Sequence, residues 1–434
     1  MHFELSLPLI WLLLFSILSL KDFFLTFLDL SRKRSAKLLL LAFPIYLSLS
    51  IFWSANPLRG VLTAGILWCL YISASAILTT LHRPLNKDTL KKSLLYSAGL
   101  VSLLCWIQCF LDVRGVSMDT TLLCLGCTSQ SFGFPHPSGF AIEPQFMGNL
   151  LLIPALLALF SFGQKTPSHF SLSFVLVSTL FLTFSRGAIY AFSIAYLFLL
   201  FGSLLRAQNF AFLKTLPLVI FSFIFTLLAQ GVFAAASPTN DTFLSGIDKS
   251  ISQLSLGKIE LGLSNDDSEE PEPDEGTEEA DDSLAEDNSS TFSGYVEEST
   301  NVRLSLDSFA LELAASSPSR LLFGAGLGSA GTVLFEAGKT ASKLEIVQNE
   351  FLSLLLEVGI LGLIFLVIVV ILLFVYIKKS FALPERLLLY AVILSLVLSL
   401  NFFSGLPNAL HIYLFPVFLF SFLPSSSKHE SVID

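Results

Sequence analysis

Long apolar runs separated by short polar connections dominate the chain. A helix needs about 20 mostly apolar residues to cross about 30 Å of hydrocarbon, and such a run must satisfy its own backbone hydrogen bonds in lipid, which favours helices. The pattern therefore predicts an all-α polytopic membrane protein with about eleven transmembrane helices. The apolar runs are 7–28, 38–54, 61–81, 93–111, 145–162, 169–184, 187–205, 212–235, 350–377, 387–403 and 408–423.

Basic residues concentrate in every second connection between these runs. The basic connections are 31–37, 82–92, the one with Lys165, the one with Arg206 and Lys214, and the one from Lys378 to Arg386. Because Lys and Arg accumulate on the cytoplasmic side, all five are expected there. The N-terminus is then outside, and the first run, which no small-residue cleavage site follows, is a retained helix.

This topology divides the chain into four parts. Residues 1–235 form an N-terminal bundle of about eight spans, and residues 236–349 form a long external loop. Residues 350–423 supply about three further spans, and residues 424–434 form a cytoplasmic tail. The predicted location is the cytoplasmic (inner) membrane, so the protein is expected to contact the lipid bilayer.

Composition supports this class of protein and excludes others. Of 434 residues, 53% are hydrophobic and only 14% are charged, whereas soluble domains are about 25% charged. An ordinary soluble enzyme, a disordered regulator and a nucleic-acid-binding protein are thereby excluded, the last because it needs a basic face.

The net charge of −9 comes from one segment of the external loop. Residues 265–287 contain 13 Asp and Glu and no Lys or Arg, so the rest of the chain is slightly basic. A segment with few large apolar residues is predicted to be disordered. The alternative is a calcium site made of carboxylates, but the spacing does not match an EF-hand loop. We expect this segment to stay extended in solvent.

The flank of the acidic segment has a different character. Apolar residues at helical spacing predict an amphipathic helix over about 299–322, which either lies on the membrane surface or packs against the bundle. The residues taken for its apolar face are Leu304, Phe309, Leu311 and Leu313.

A glycine-rich segment follows this helix. Residues 324–331 read GAGLGSAG and contain G-x-G-x-x-G, but a dinucleotide site requires a preceding strand. A close turn of backbone is the favoured interpretation, and a backbone nest for a phosphate is the alternative.

The sequence does not decide the chemical state of the five cysteines. Cys69 lies inside a run and is interpreted as a packing residue. Cys105 and Cys109 lie one turn apart near the outer end of the fourth run, and Cys124 and Cys127 form a C-x-x-C in the next external loop. One or two disulfides, free thiols and a zinc site are all compatible with this spacing, and the disulfide is favoured.

Ionisable residues beside the predicted spans are candidates for function, because charge is costly there. Arg186 lies between two apolar runs at an outer turn, and Arg303 opens the amphipathic helix. Glu143 precedes the fifth span, and Gln348-Asn349-Glu350 precedes the ninth. Each has a purely structural alternative. Arg186 could be an arginine that snorkels at a helix end, and Arg303 a solvated residue paired with a glutamate. Glu143 could be a charge favoured by the helix dipole, and the triplet a polar start of a helix.

Two arginines with nearby carboxylates and amides on one face suit a doubly anionic ligand. A guanidinium binds phosphate oxygens in a bidentate fashion, so a pyrophosphate is the natural ligand. A lipid-linked pyrophosphate reaches such a site laterally from the outer leaflet.

Four segments also match a known pattern. They are TFSRGA around Arg186, the arginine-bearing helix that leads to LLFGAGLGSAG, QNEFLSLLLEVGILGLIFL from Gln348, and GFAIEPQFMGN around Glu143. In order, spacing and topology the chain resembles the O-antigen ligase / O-antigen polymerase superfamily of bacterial membrane glycosyltransferases, over roughly residues 54–413.

The resemblance implies a reaction and its partners. Such proteins transfer a glycan from a polyprenyl-pyrophosphate carrier to an acceptor on the outer face of the cytoplasmic membrane, and the ligases need no metal; we expect no cofactor. The acceptor is a lipid, a growing saccharide or a protein hydroxyl. Arg186 and Arg303 match the arginines that hold the pyrophosphate and stabilise the leaving group.

One residue departs from the ligase pattern. Ligases carry a histidine where this chain has Gln348, and glutamine cannot act as a general base. Either Glu143 is the catalytic base or Gln348 only positions the acceptor, with Asn349, Glu350 and His136 as further acceptor-positioning residues. The departure fits a polymerase or a divergent member better than a strict ligase, as does a count of eleven spans against twelve.

Two other functions stay open at this point. A transporter or flippase of lipid-linked glycans would place charges near the membrane midplane, often in internal repeats. A non-catalytic scaffold would bind a partner or cations through the acidic segment.

Overall fold

The protein is described here from a computed structural model. Helices make up 84% of the described residues and no strand occurs among them, which confirms the all-α prediction. The described residues are 7–28, 34–80, 87–116, 136–139, 141, 143–164, 169–205, 210–237, 242–259, 261–262, 292–343, 347–402, 419 and 423.

The helices follow the predicted apolar runs closely in the first half of the chain. Short 3-10 helices at Ser50–Trp53 and Phe210–Lys214 precede α3 and α8. In chain order the α-helices are α1 (Leu7–Leu28), α2 (Arg34–Leu49), α3 (Pro57–Thr80), α4 (Lys87–Val113), α5 (Pro144–Gln164), α6 (Phe170–Leu182), α7 (Arg186–Leu205), α8 (Thr215–Ala236), α9 (Phe243–Leu254), α10 (Phe292–Ala315), α11 (Pro318–Phe323), α12 (Ala330–Glu336), α13 (Glu350–Ser380) and α14 (Leu383–Ser399).

Six helices in the described part of the chain are long and apolar enough to cross a membrane. They are Pro57–Ile77, Thr89–Val113, Pro144–Gly163, Arg186–Leu205, Phe212–Ala236 and Glu350–Ser380. Shorter apolar helices occupy Leu40–Trp53 and Phe170–Leu182. The runs 7–28 and 387–403 form α1 and α14, and the run 408–423 lies almost wholly outside the described residues. The count of eleven spans therefore stays a prediction.

Helix α5 forms the centre of the larger core. Its side chains Leu151, Leu156 and Leu159 are fully buried, and α4, α6, α7 and α14 surround it. By contrast, α13 exposes apolar side chains such as Val367 and Ile371. An exposed apolar helix face of this kind is what lipid contact requires.

The amphipathic helix predicted over 299–322 is two helices. The chain breaks after Ala315, and Ser317 caps α11 by accepting a hydrogen bond from the Arg320 N–H at 3.2 Å. Of the predicted apolar face, Leu304 and Leu311 are exposed while Phe309 and Leu313 are half-buried. The buried stripe consists of Leu306, Ala310 and Ala314, and the two alanines pack against α12 and α13. Small side chains permit this close approach, and hydrophobicity alone does not reveal it.

Helix α13 is kinked within its third turn. Gly359 has φ 66° and ψ −171°, a conformation open to glycine because it has no Cβ. The carbonyl of Val358, freed by the kink, accepts a hydrogen bond from the Tyr46 hydroxyl at 2.9 Å. The first turns of α13 are thus separated from its long apolar remainder.

Several sequence-based predictions lie outside the described residues. They concern the acidic segment 265–287, Cys124, Cys127 and the tail 424–434. Cys69, Cys105 and Cys109 are free thiols, and the last two are buried. The adjacent-turn pair Cys105 and Cys109 is therefore not bridged to itself.

Candidate functional site

Three helix N-termini meet at one end of the bundle, and they belong to α5, α7 and α13. The side-chain amide of Gln145, in the first turn of α5, donates to the carbonyl of Phe402 at 2.6 Å. The Glu350 N–H, at the start of α13, donates to the carbonyl of Leu400 at 2.9 Å. The segment after α14 therefore joins the two helix starts.

The start of α7 is held against the start of α5. A Cβ atom on Gly148 would lie 2.9 Å from the Cβ atoms of Ser185 and Ala188, so only glycine allows this approach. A Cβ on Gly187 would lie 2.7 Å from the Cβ of Phe402. Two glycines thus place the Ser-Arg-Gly turn between α5 and the end of α14.

Arg186 is the first residue of α7 and is half-buried. The preceding turn includes Phe184, which has φ 46°, a strained conformation for a bulky side chain. Burial holds Phe184 there, since its ring packs 5.8 Å from the ring of His136. Backbone strain of this kind is typical of functional sites.

A further helix covers the same side of α7. The hydroxyl of Tyr190, one turn beyond Arg186, donates to the carbonyl of Leu254 at the end of α9. The buried residues of α9 are small or polar, among them Asp248 and Ser252. The end of α9 is thereby joined to the first turns of α7, while Gly246 on its buried face packs against Ala234 and Gln230 of α8.

Arg303 lies on α10 and is half-buried. One turn later, the carboxylate of Asp307 is hydrogen-bonded to the side chain of Asn349. Burial raises the pKa of Asp307, and this hydrogen bond opposes the shift. The helix that carries Arg303 is thereby joined to the start of α13.

The three polar residues at the start of α13, Gln348 to Glu350, have different contacts. Asn349 is the N-cap, and its Oδ1 accepts hydrogen bonds from the Phe351 and Leu352 N–H groups at 3.1 and 3.2 Å. Glu350 is buried with 3% of its surface exposed. Gln348 is half-buried, and its Oε1 is buried without a hydrogen-bond partner in the described structure. Gln348 is thus the member of the triplet whose amide oxygen lacks a hydrogen-bond partner within the described structure.

Glu143 and His136 occupy contrasting environments. The Glu143 side chain is exposed, and its carbonyl accepts from the Phe146 N–H at 3.1 Å, directly before α5. His136 is 4% exposed, and burial lowers its pKa to about 3. A neutral imidazole packed on Phe184 supports the Arg186 turn, so His136 is better placed to position that turn than to contact an acceptor.

Two polar residues beside Arg186 were not predicted. Asn149 and Ser185 are 3% and 7% exposed, and the Asn149 Oδ1 and the Ser185 Oγ make no hydrogen bond within the described structure. An unsatisfied buried polar atom costs about 1–3 kcal/mol. An amide inside an otherwise apolar run was the available signal for Asn149.

The contacts therefore connect most of the predicted residues. The helix starts at Arg186, Glu143 and Glu350 are in contact through Gly148, Gln145 and the residues after α14. The helix that carries Arg303 is linked to Asn349 through Asp307. No protein-family model matches the chain, and a sequence comparison with curated proteins found no match either.

Proposed function

We propose that the chain is a membrane glycosyltransferase of the O-antigen ligase/polymerase type. It transfers a glycan from a polyprenyl-pyrophosphate carrier to an acceptor hydroxyl. The site faces the outer side of the cytoplasmic membrane and is held there by about eleven transmembrane helices.

The observation that carries this proposal is the meeting of three helix N-termini beside Arg186. The helix dipole makes a helix N-terminus favourable for anions. A half-buried guanidinium adds a full positive charge and a bidentate donor at the same place. The pyrophosphate of the glycan carrier is an anion that both the helix N-termini and the guanidinium would bind.

Arg303 supplies the second positive charge. Its helix is tied to the start of α13 by the hydrogen bond between Asp307 and Asn349. Charge that develops on the departing pyrophosphate is stabilised most by donors already in place. Arg186 and Arg303 are assigned this task.

The reaction needs no cofactor for its atoms to balance. The acceptor oxygen forms a bond to the anomeric carbon of the glycan, and the bond from that carbon to the phosphate oxygen breaks. The polyprenyl pyrophosphate leaves with the bonding electrons, and the hydroxyl proton passes to a base.

Glu143 is the assigned base. Its carboxylate is exposed at the start of α5, next to the Arg186 turn, and a carboxylate accepts a proton where an amide does not. Gln348 is assigned to orient the acceptor, because its amide oxygen accepts a hydrogen bond from a hydroxyl. The polar groups of Asn149 and Ser185 suit further sugar hydroxyls.

The test uses the purified protein in lipid nanodiscs with a fluorescent polyprenyl-pyrophosphate glycan and saccharide, lipid and peptide acceptors. A gel ladder would identify a polymerase, and a single shifted band a ligase or a protein glycosyltransferase. Arg186→Ala and Arg303→Ala should each lower kcat about 100- to 1,000-fold, as loss of one stabilising donor does.

Two arginines in the predicted external loops serve as matched controls. Arg114 is exposed and stacks on Phe110, and Arg320 lies on α11 with its guanidinium 3.3 Å from the Ser316 hydroxyl. Arg114→Ala and Arg320→Ala should retain wild-type rates. Wild-type transfer by folded Arg186→Ala and Arg303→Ala proteins would refute the proposal.

A further inference from the structure

The glycine-rich segment between α11 and α12 forms a sharply curved loop. Gly324, Gly326 and Gly328 all have positive φ, at 72°, 93° and 78°. Glycines of positive φ that alternate with ordinary residues are found in anion-binding nests, where backbone N–H groups point to one anion.

The first N–H groups of this loop bind backbone and side-chain oxygens. The Ala325 N–H donates to the Leu356 carbonyl at 2.9 Å, and the Gly326 N–H to the Glu357 carbonyl at 2.7 Å. The Leu327 N–H donates to the Ser50 hydroxyl at 3.2 Å. These bonds attach the loop to α13 on one side and to the 3-10 helix Ser50–Trp53 on the other.

The side chain of Glu357 occupies the nest itself. Its Oε2 accepts from the Gly328 N–H at 2.9 Å, and its Oε1 accepts from the Ala330 N–H at 3.1 Å. Glu357 is 9% exposed, and the half-buried Arg59 attracts its carboxylate. Each carboxylate oxygen thus has its own N–H donor and a cation nearby.

The walls of the nest leave no space for a larger anion. A Cβ on Gly324 would lie 2.3 Å from the Glu357 carbonyl, one on Gly326 2.2 Å from the Ser54 Cα, and one on Gly328 2.6 Å from the Gly60 N. The loop is therefore enclosed between α13 and the start of α3. The phosphate nest considered from sequence is filled by the protein's own carboxylate.

We infer that the glycine loop is a built anion-binding site whose ligand is the carboxylate of Glu357, and that small carboxylates bind there when that side chain is removed. The loop follows α10 and α11, and Glu357 lies two turns beyond the start of α13. On the proposed function, Glu357 is then a positioning residue that holds the Arg303 segment against Gln348.

The test of the site itself is chemical rescue in full-length protein. Glu357→Ala in nanodiscs should have a lower Tm than wild type, and sodium formate should raise that Tm in a saturable manner. Formate carries the two oxygens that the nest binds and is small enough for the space that the side chain leaves. Sodium chloride at equal ionic strength should not reproduce the effect.

Leu354→Ala is the matched control. Leu354 is buried one turn earlier on the same helix, so its truncation destabilises α13 without emptying the nest. Formate should leave the Tm of this variant and of wild type unchanged. Absence of saturable rescue in folded Glu357→Ala, or equal rescue of Leu354→Ala, would overturn the inference.

Glu357→Gln covers the case in which the alanine variant does not fold. The amide keeps the size of the side chain, but it presents an NH₂ group to one of the two N–H donors. Its Tm should fall clearly below that of Glu312→Gln, a change at an exposed carboxylate 3.7 Å from Lys339. Equal Tm values for these two variants would also overturn the inference.

The positioning role is tested separately, below the Tm of each variant. Glu357→Ala should lose about 10- to 100-fold in kcat, a loss typical of a small displacement of reacting groups, and formate should restore kcat over the concentration range that restores Tm. Glu357→Asp should retain more activity than Glu357→Ala. If wild type shows no transfer, the proposed function fails while the Tm result still decides the anion site. Rescue of Tm without rescue of kcat would refute the positioning role alone.

Discussion

The side chain of Asn349 caps α13 and at the same time hydrogen-bonds to the carboxylate of Asp307 on α10. One amide therefore serves two helices that are distant in the sequence. Its Oδ1 is used by the first turn of α13, so its NH₂ group is free to donate to Asp307. This arrangement requires an amide, because a carboxylate at position 349 would face a second carboxylate.

Substitution of Asn349 should separate these two roles. Asn349→Ala removes both and should cost about 1 kcal/mol from the lost cap alone. Asn349→Asp keeps the cap but repels Asp307, and adding Asp307→Asn should restore the stability that is lost. Thermal unfolding of the single and double variants measures this coupling, and additive effects would contradict the shared hydrogen bond.

Gly148→Ala should displace the Arg186 turn. The new Cβ would lie 2.9 Å from the Cβ atoms of Ser185 and Ala188, and overpacking of this kind costs about 1–3 kcal/mol. Both Tm and glycan transfer should fall. Gly65→Ala is the control, since no atom lies within 4 Å of its added Cβ, and alanine in a helix is favoured over glycine by up to about 1 kcal/mol. A Gly148→Ala protein as stable as Gly65→Ala would contradict the close contact.

His136 should make the fold sensitive to acid. Burial lowers its pKa from 6.5 to about 3. At pH values between these two, His136 binds a proton in the unfolded chain but not in the folded chain. Stability is therefore at its full value above about pH 6.5 and falls as the pH drops towards about 3. His136→Gln should flatten the dependence of Tm on pH in this window, and an unchanged slope would show that other groups cause it.

Glu143 and Gln348 should affect transfer in different ways. Glu143→Gln removes the proposed base and should lower kcat by about 100- to 10,000-fold. Gln348→Ala removes only an orienting hydrogen bond, so the KM for the acceptor should rise more than kcat falls. Steady-state kinetics with a soluble acceptor distinguishes the two, and Glu312→Gln is the control for loss of a carboxylate. A normal kcat in Glu143→Gln would assign the base elsewhere.

The apolar pattern by itself determined the helical class. Runs of about 20 apolar residues have few alternatives in lipid, and α3, α4, α5, α7, α8 and α13 follow them closely. The sequence also singled out Arg186 and the triplet from Gln348 to Glu350, because polar residues at the ends of apolar runs are rare and costly.

Only the tertiary structure decided what these residues contact. The meeting of the α5 and α7 starts depends on the absence of a side chain at Gly148, and the exposure of Leu304 depends on small residues on the opposite face of α10. Glu357 shows this most clearly, because its partners Gly328 and Ala330 lie almost 30 positions earlier in the chain. Periodicity reports which face of a helix is apolar, but hydrogen bonds between distant segments arise only when the backbone has folded, so sequence reasoning did not find them.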